Sequence, residues 1–425
     1  VGTGSTGAVS LTTPGGTASL AGFTFIPAPT ITSFAPTTAA AGALINITGT
    51  NFNNTFAITL GGASVTSFTV VSATSIVAIV GTGSSGAVSL TTPGGTASLA
   101  GFTFIPAPTI TSFAPTSAGA GALISITGTN FNGTSIVTLG GTPVTTFTVV
   151  SATSIVARVS SGSTGAVSLT TPGGTASLAG FTFIPAPTIT SFAPTIAAAG
   201  ALINITGTNF NNTFAITLGG TPVTSFTVVS ATSIVAIVGT GSTGAVSLTT
   251  PGGTASLAGF TFIPAPTITS FAPTSAGAGA LISITGTNFN GTSIVTLGGT
   301  PVTTFTVVSA TSIVARVSSG STGAVSLTTP GGTASLAGFT FIPAPTITSF
   351  APTIAAAGAL INITGTNFNN TFVITLGGTP VTSFTVVSST SIVAIVGTGS
   401  SGAVSLTTPG GTASLAGFNF IPAPT

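Results

Sequence analysis

Short stretches rich in Val, Ile, Thr and Phe recur along the whole chain, and Gly, Pro or Asn separates each from the next. In one of them Val88 and Leu90 alternate with Ser and Thr, which is the pattern of a β-strand with one buried face. Pro93 and the two glycines after it predict a tight turn, since Pro presets φ and Gly accepts positive φ. No segment shows the roughly 3.6-residue spacing of apolar residues that would predict a helix instead. In the first complete block of the pattern, the predicted strands include 43–48, 56–60, 67–71, 75–80, 87–91 and 102–105.

The pattern is an internal repeat with a period of 79 residues. It starts at Thr30 and begins again at Thr109, Thr188, Thr267 and Thr346, while the first 29 residues match the end of a repeat. About seven strands per repeat predict a small immunoglobulin-like β-sandwich, so we expect an all-β tandem array. The predicted domains are 1–29 (the C-terminal part of a repeat), 30–108, 109–187, 188–266, 267–345 and 346–424.

Two kinds of complete repeat alternate. Type A comprises 30–108, 188–266 and 346–424, and type B comprises 109–187 and 267–345, which are identical to each other. The structural unit is therefore expected to be one repeat and the genetic unit two. Type A carries Asn46, Asn54, Phe56 and Ile79 where type B carries Ser125, Gly133, Ser135 and Arg158.

Seven motifs cover the first repeat from end to end, and the other repeats restate them. They are PTITSFAP at 29–36, AG at 41–42, ITGTNF at 47–52, ITLGG at 58–62, SATSI at 72–76, TPGGT at 92–96 and FTF at 102–104. In this order they resemble the IPT/TIG family of immunoglobulin-like domains, known from plexins, some transcription factors and many bacterial surface proteins. The resemblance implies a bacterial surface protein rather than DNA binding or receptor signalling, because the charges usual in the family are absent.

Composition excludes most chemistry. Among 425 residues only Arg158 and Arg316 are charged, and Asp, Glu, His, Lys, Cys and Tyr are absent. General acid–base catalysis and dedicated metal sites need those side chains, so we expect no enzyme, no metal and no cofactor. Two arginines are too few for a nucleic-acid backbone, which excludes nucleic acid as a partner. No run of about 20 apolar residues predicts a membrane span.

The junctions between repeats are short and rich in proline. Pro106, Ala107 and Pro108 lead from the last strand of one repeat into the first strand of the next. Such a junction favours extended polyproline geometry with little slack, which predicts a semi-rigid rod. An equally weighted interpretation is that the prolines only block edge pairing between neighbouring repeats.

A surface almost without charge is expected to associate. If Ile76, Ala78 and Val80 face the core, then Val77 and Ile79 form an outer patch that is apolar in type A and cationic in type B. The alternatives are that this face assignment is inverted or that a loop covers the patch. The candidate self-association residues are Val77, Ile79, Arg158, Ile237, Arg316 and Ile395.

Asn-x-Thr triplets are candidate acceptors for covalent glycans on a secreted surface. The alternative is that so Thr-rich a chain forms the triplet by chance, and outward Ser and Thr are equally open to O-glycans. The candidate acceptors are Asn46, Asn53, Asn132, Asn204, Asn211, Asn290, Asn362 and Asn369. Asn51 belongs instead to a turn motif and is predicted to adopt the left-handed conformation.

These observations predict a structural extracellular protein at the cell surface, in which tandem repeats form a self-associating filament, stalk or sheath fibre. Its partner would be itself, as a homopolymer or a lateral bundle. The alternative is the repeat stalk of an adhesin whose binding domain lies outside this sequence. Residues 1–29 are expected to be a window on a longer array, the other explanation being that a neighbouring subunit donates the missing strands.

Overall fold

A computed structural model describes residues 4–423. The regular secondary structure in that range consists of β-strands alone. Two strands, β1 (Gly7–Thr13) and β2 (Gly16–Phe23), form an antiparallel hairpin. Five copies of one nine-strand unit follow. The predicted all-β class and immunoglobulin-like repeats are thereby confirmed.

The nine strands of each unit keep the same order. In the first repeat they are β3 (Thr30–Ala35), β4 (Thr38–Ala40), β5 (Leu44–Thr50), β6 (Ala57–Leu60), β7 (Ala63–Ser64), β8 (Ser67–Ser72), β9 (Ser75–Ile79), β10 (Gly86–Thr92) and β11 (Gly95–Ile105). Strands β12 to β20 are Thr109–Ala114, Ser117–Ala118, Leu123–Thr129, Ile136–Leu139, Thr142–Pro143, Thr146–Ser151, Ser154–Arg158, Gly165–Thr171 and Gly174–Phe183. Strands β21 to β29 are Thr188–Ala193, Ile196–Ala198, Leu202–Thr208, Ala215–Leu218, Thr221–Pro222, Ser225–Ser230, Ser233–Ile237, Gly244–Thr250 and Gly253–Ile263.

The last two repeats follow the same scheme. Strands β30 to β38 are Thr267–Ala272, Ser275–Ala276, Leu281–Thr287, Ile294–Leu297, Thr300–Pro301, Thr304–Ser309, Ser312–Arg316, Gly323–Thr329 and Gly332–Phe341. Strands β39 to β47 are Thr346–Ala351, Ile354–Ala356, Leu360–Thr366, Val373–Leu376, Thr379–Pro380, Ser383–Ser388, Ser391–Ile395, Gly402–Thr408 and Gly411–Ile421.

Each repeat is a sandwich of two sheets. In the first repeat a four-stranded sheet has the order β3-β5-β9-β8, and a five-stranded sheet has the order β4-β11-β10-β6-β7. All neighbouring strands are antiparallel except β4 and β11, which pair in parallel from Thr38 opposite Thr103 to Ala40 opposite Ile105. The other four repeats have the same two orders.

The alternation in the sequence sets the core. Ile45 and Ile47 of β5, Ile76 and Ala78 of β9, and Val88 and Leu90 of β10 are completely buried between the sheets. Phe52, in the loop after β5, and Phe102 of β11 fill the same core. Gly49 is required at a close approach, because a methyl group there would overlap the carbonyl oxygen of Thr30 on the neighbouring strand.

Each repeat has nine strands where the sequence pattern predicts about seven, and one strand is longer than predicted. Strands β4 and β7 have three and two residues, too few for an alternation to be read. The predicted strand 102–105 is the end of β11, which begins at Gly95 and pairs with β10 along its first half. Small residues such as Ala97 and Gly101 hide that half, because they break the apolar and polar alternation.

The chain divides into two compact units. The first contains Val1–Pro187 with Thr249–Thr254, and the second contains Thr188–Leu248 with Ala255–Thr425. Each unit holds complete sandwiches with separate hydrophobic cores, as in the first repeat and in the fifth.

Candidate functional site

The outer face of the four-stranded sheet contains the predicted self-association residues. Ile76, Ala78 and Val80 are completely buried, so their side of β9 is the core face. Val77 and Ile79 point outward, but they are half-buried rather than exposed. The reason is that β9 is an interior strand, flanked by β5 on one side and β8 on the other.

The neighbours of this position differ between repeat types. Ile79 lies between Leu44 of β5 and Ser67 of β8. In type B the guanidinium-bearing Arg158 is exposed at the same place, between Leu123 and Thr146. Ile237 and Ile395 are half-buried like Ile79, and Arg316 is exposed like Arg158.

Exposed apolar side chains enlarge this outer face. Leu44 is 60% exposed, and Val71 at the edge strand β8 is 61% exposed. Type B keeps both features, with Leu123 and Val150 exposed to a similar degree. Exposed but uncharged Asn, Ser and Thr side chains lie among them, and the face carries a charge only at the arginine positions. A mixed face of this kind can contact another chain without burying a charge in type A repeats.

All eight candidate glycan acceptors are exposed, but they occupy two settings. Asn46 and its counterparts Asn204 and Asn362 lie on β5 and the matching strands, with the Thr two residues later also exposed. The other five follow the buried Phe of the loop after that strand. There the Thr hydroxyl is turned inward, as Thr55 shows by donating to the carbonyl oxygen of Phe52 at 2.8 Å.

A clasp joins successive repeats. Asn130 adopts the left-handed conformation predicted for this motif, with φ 60°. Its side-chain amide donates to the carbonyl oxygen of Ala107 in the junction, at 2.8 Å. On the same junction, Gly173 in the Pro-Gly-Gly turn lies so close to the carbonyl of Pro106 that a side chain would overlap it. An amide and a turn of one repeat thus both contact the junction that precedes it.

The same clasp recurs at three further junctions, one in the first compact unit and two in the second. The amides of Asn51, Asn288 and Asn367 donate to Ala28, Ala265 and Ala344 at 2.8–2.9 Å. The glycines that press on the preceding proline carbonyl there are Gly94, Gly331 and Gly410.

Sequence reasoning missed the clasp, although a signal was present. Gly95 has φ 137° and is needed by the turn, whereas Gly94 has no such φ. A second glycine without a conformational role indicates close packing. The type B repeats add one more contact of this kind, because Gly277 lies against the backbone of Gly410 where type A has Ala.

A shallow cleft flanks one of these junctions. It measures about 460 Å³ and is lined on one side by Thr340, Ile342 and Pro343, and on the other by Asn367, Asn369 and Asn370. Asn369 is a candidate glycan acceptor, so a glycan attached there would start beside the junction. Each fully buried side-chain nitrogen or oxygen in residues 4–423 has a hydrogen-bond partner, so no unsatisfied polar atom marks a ligand.

No helix in the described range is long and apolar enough to cross a membrane. No curated protein matches the chain. Among solved structures, the chain is similar to a surface glycan-binding protein from a xyloglucan utilization locus of Bacteroides uniformis, with 19% sequence identity and a TM-score of 0.20. The alignment covers 45% of this chain and 63% of the Bacteroides protein. The plexin A4 extracellular region has 14% identity, covering 90% and 43%, at TM-score 0.25. At such values these similarities say nothing about what the chain binds.

The family model gives a stronger result. The IPT/TIG domain matches five times, at residues 29–104, 108–183, 187–262, 266–341 and 345–420. Each match covers one two-sheet sandwich, from just before its first strand to its last. The matched segments contain most of the residues, and the chain therefore belongs to the IPT/TIG domain family.

Proposed function

We propose that this chain is a structural extracellular protein whose tandem IPT/TIG domains form a self-associating surface filament, stalk or sheath fibre. The observation that carries the proposal is the clasp, which recurs at four junctions with the same amide bond and the same glycine contact. A junction held at two points limits the relative motion of its neighbours. Repeating such a junction extends the array by one domain at a time, which is what a filament or stalk needs.

The surface supports association of one chain with another. Val77, Ile79, Ile237 and Ile395 lie on outward faces among exposed Leu and Val side chains. Contact between such faces removes apolar area from water without desolvating a charge. Arg158 and Arg316 interrupt the face once in each type B repeat, so we assign the apolar contact mainly to type A.

The near absence of charge gives this association a recognisable signature. Screening by salt acts on charges, and pH acts through groups that titrate near neutrality. The chain has only two arginines among its ionisable side chains. Assembly is therefore expected not to weaken in high salt, and to be the same across about pH 5 to 9.

Covalent glycans are part of the proposal. Asn46, Asn204 and Asn362 are exposed together with their Thr, but each lies on the outer sheet face directly opposite Val77 or its counterpart, where a glycan would cover the association face. We favour the five acceptors in the loop after β5 and the matching strands, which are exposed and leave the sheet face uncovered, although a hydrogen bond holds the Thr of each triplet. They are Asn53, Asn132, Asn211, Asn290 and Asn369. Glycans would keep individual chains in solution before they assemble.

Electron microscopy of native, unfixed material from the source cells tests the proposal. Ordered fibres with an axial repeat of about 35 to 45 Å per domain, or twice that, are expected, given about 3.3 Å per strand residue. A doubled repeat would give the alternation of types A and B a structural meaning. Isolated threads that end in a distinct head would contradict the filament and favour an adhesin stalk.

A further inference from the structure

The sandwich leaves several strand edges open, and most of them are blunted. Strand β7 has two residues, and its counterparts in the other repeats end in proline, as at Pro143. Strand β3 stands between Pro29 and Pro36, and its pairing shifts between Ile31 and Ser33. Strand β4 is three residues long. Short length, proline and irregular pairing are the usual means of preventing a strand from pairing with another chain.

The open half of β11 is blunted in another way. Beyond the residues that pair with β4, its outer edge runs from Gly95 to Gly101. Both glycines have positive φ, 137° and 112°, so the backbone departs from the regular extended form at each end. The pairing of β10 with β11 also shifts register at Gly86.

Strand β8 is the exception. It lies at the end of the four-stranded sheet and pairs only with β9. Its six residues, Ser67 to Ser72, contain no glycine, no proline and no charge. Pairing is regular from Ser67 to Val70, and the one register shift, between Val70 and Ser72, lies at the end of the strand. Phe, Thr and Val favour the extended form. Every second backbone N–H and C=O of such a strand faces away from its only neighbour and is open to a new partner.

We propose that β8 is the lateral contact of the array, pairing with the same strand of a second copy of this chain. This inference rests on the proposed self-association and specifies its interface. Two four-stranded sheets would join edge to edge into one continuous sheet. The outer face of that sheet would contain Val71, Val77 and Ile79 from both copies.

The partner is a second copy because the edge recurs with the period of the array. The same strand returns as Thr146–Ser151, Ser225–Ser230, Thr304–Ser309 and Ser383–Ser388. The copies differ only at the first position, which is Ser or Thr. A contact at one such edge tethers the other copies of the strand in the two chains to one another. Linked weak contacts then act at high effective concentration, which a partner without this period would not provide.

The absence of cysteine from the chain allows a direct test. Cysteine is introduced in the full-length protein at Ser225, Thr227 or Val229, the exposed positions of the edge strand in the third repeat. The three variants are oxidised singly and in pairwise mixtures. Paired strands bring opposite Cα atoms to about 5.5 Å, a separation that a disulfide spans. Thr206→Cys is the matched control, exposed on the same sheet but on an interior strand.

At least one edge combination is expected to give tenfold more disulfide-linked dimer than Thr206→Cys. Light scattering of the same samples under reducing conditions reports association independently. Oligomers that cross-link through Thr206→Cys, or through none of these positions, would overturn the edge contact and leave self-association standing. A protein that stays monomeric at every concentration would instead overturn the proposed function itself.

Discussion

The same 17-residue sequence occurs in two settings, as residues 7–23 and as residues 86–102. In both, the strands pair in one register, with Val9 opposite Leu20 and Val88 opposite Leu99. Burial differs completely: Val9 is 57% exposed and Val88 is 0% exposed. Pairing is therefore decided locally by the turn and the strands beside it. Burial is contributed by β6 and by the four-stranded sheet, which lie far away in the sequence.

The largest expected difference between the two settings is at the phenylalanine that closes the hairpin. Phe102→Ala should destabilise the first repeat by about 3–5 kcal/mol, because Phe102 is 2% exposed and a cavity would remain. In this 425-residue chain Phe23→Ala is the matched control, because the hairpin of residues 7–23 has no second sheet to pack against and Phe23 is 36% exposed. Calorimetry should show one domain melting early in the first variant only. Equal effects would refute the assignment of burial to the distant strands.

The second largest difference between the two settings is expected at the first glycine of the Pro-Gly-Gly turn. A methyl group on Gly94 would overlap the carbonyl of Pro27, whereas on Gly15 its nearest neighbour would be the Thr13 hydroxyl oxygen at 3.9 Å. Gly94→Ala should weaken the clasp by about 1–3 kcal/mol through overpacking, and Gly15→Ala should be tolerated. Spin labels on cysteines introduced at Thr24 and Asn53 would report the joint. A distance distribution equally narrow in both variants would show that Gly94 is not needed for close packing.

The clasp amide should have a smaller effect. Asn51→Gly keeps the left-handed backbone but removes the 2.9 Å bond to Ala28, with an expected loss of about 0.5–1.5 kcal/mol. The same spin-label pair should show a broadened distribution. Asn54→Gly is the control, because Asn54 has φ 60° and type B repeats already carry glycine there. Broadening by the control alone would assign the effect to the loop instead.

The smallest effect should be equal in the two settings. The hydroxyls of Ser10 and Ser19 are 3.0 Å apart, and those of Ser89 and Ser98 are 2.9 Å apart. Ser19→Ala and Ser98→Ala should each weaken strand pairing by about 0.2–1 kcal/mol, the usual worth of a cross-strand pair. Amide hydrogen exchange of the two hairpins measures this. A change confined to the complete repeat would mean that even this contact depends on the core.

Local features were predictable for the same reason that the hairpin is alike in both settings. Alternation identified Ile76 and Val88 as core, and the turn motif identified the left-handed Asn51, because each depends on neighbouring residues. The IPT/TIG fold could also be predicted, since its motifs run through the whole repeat.

What could not be predicted depends on distant partners. Gly94 meets a carbonyl of the preceding repeat, and the sequence shows only a second glycine in the turn, not the atom that it approaches. The half-burial of Ile79 depends on β5 and β8 lying on either side, and strand order is not visible in an alternation. The edge position of β8 has the same origin. The interior or edge location of a strand is a property of the assembled sheet.

The parallel pairing of β4 with β11 has a mechanical consequence. The chain enters a repeat just before β3 and β4 and leaves it at the end of β11. Tension applied through the two junctions therefore pulls β4 and β11 in opposite directions along their shared length. Their hydrogen bonds are loaded together in shear, whereas a hairpin opened from its end would lose them one at a time. When the array is stretched, the β4–β11 hydrogen bonds of each domain must therefore break together, which makes the domain most resistant to unfolding in that direction.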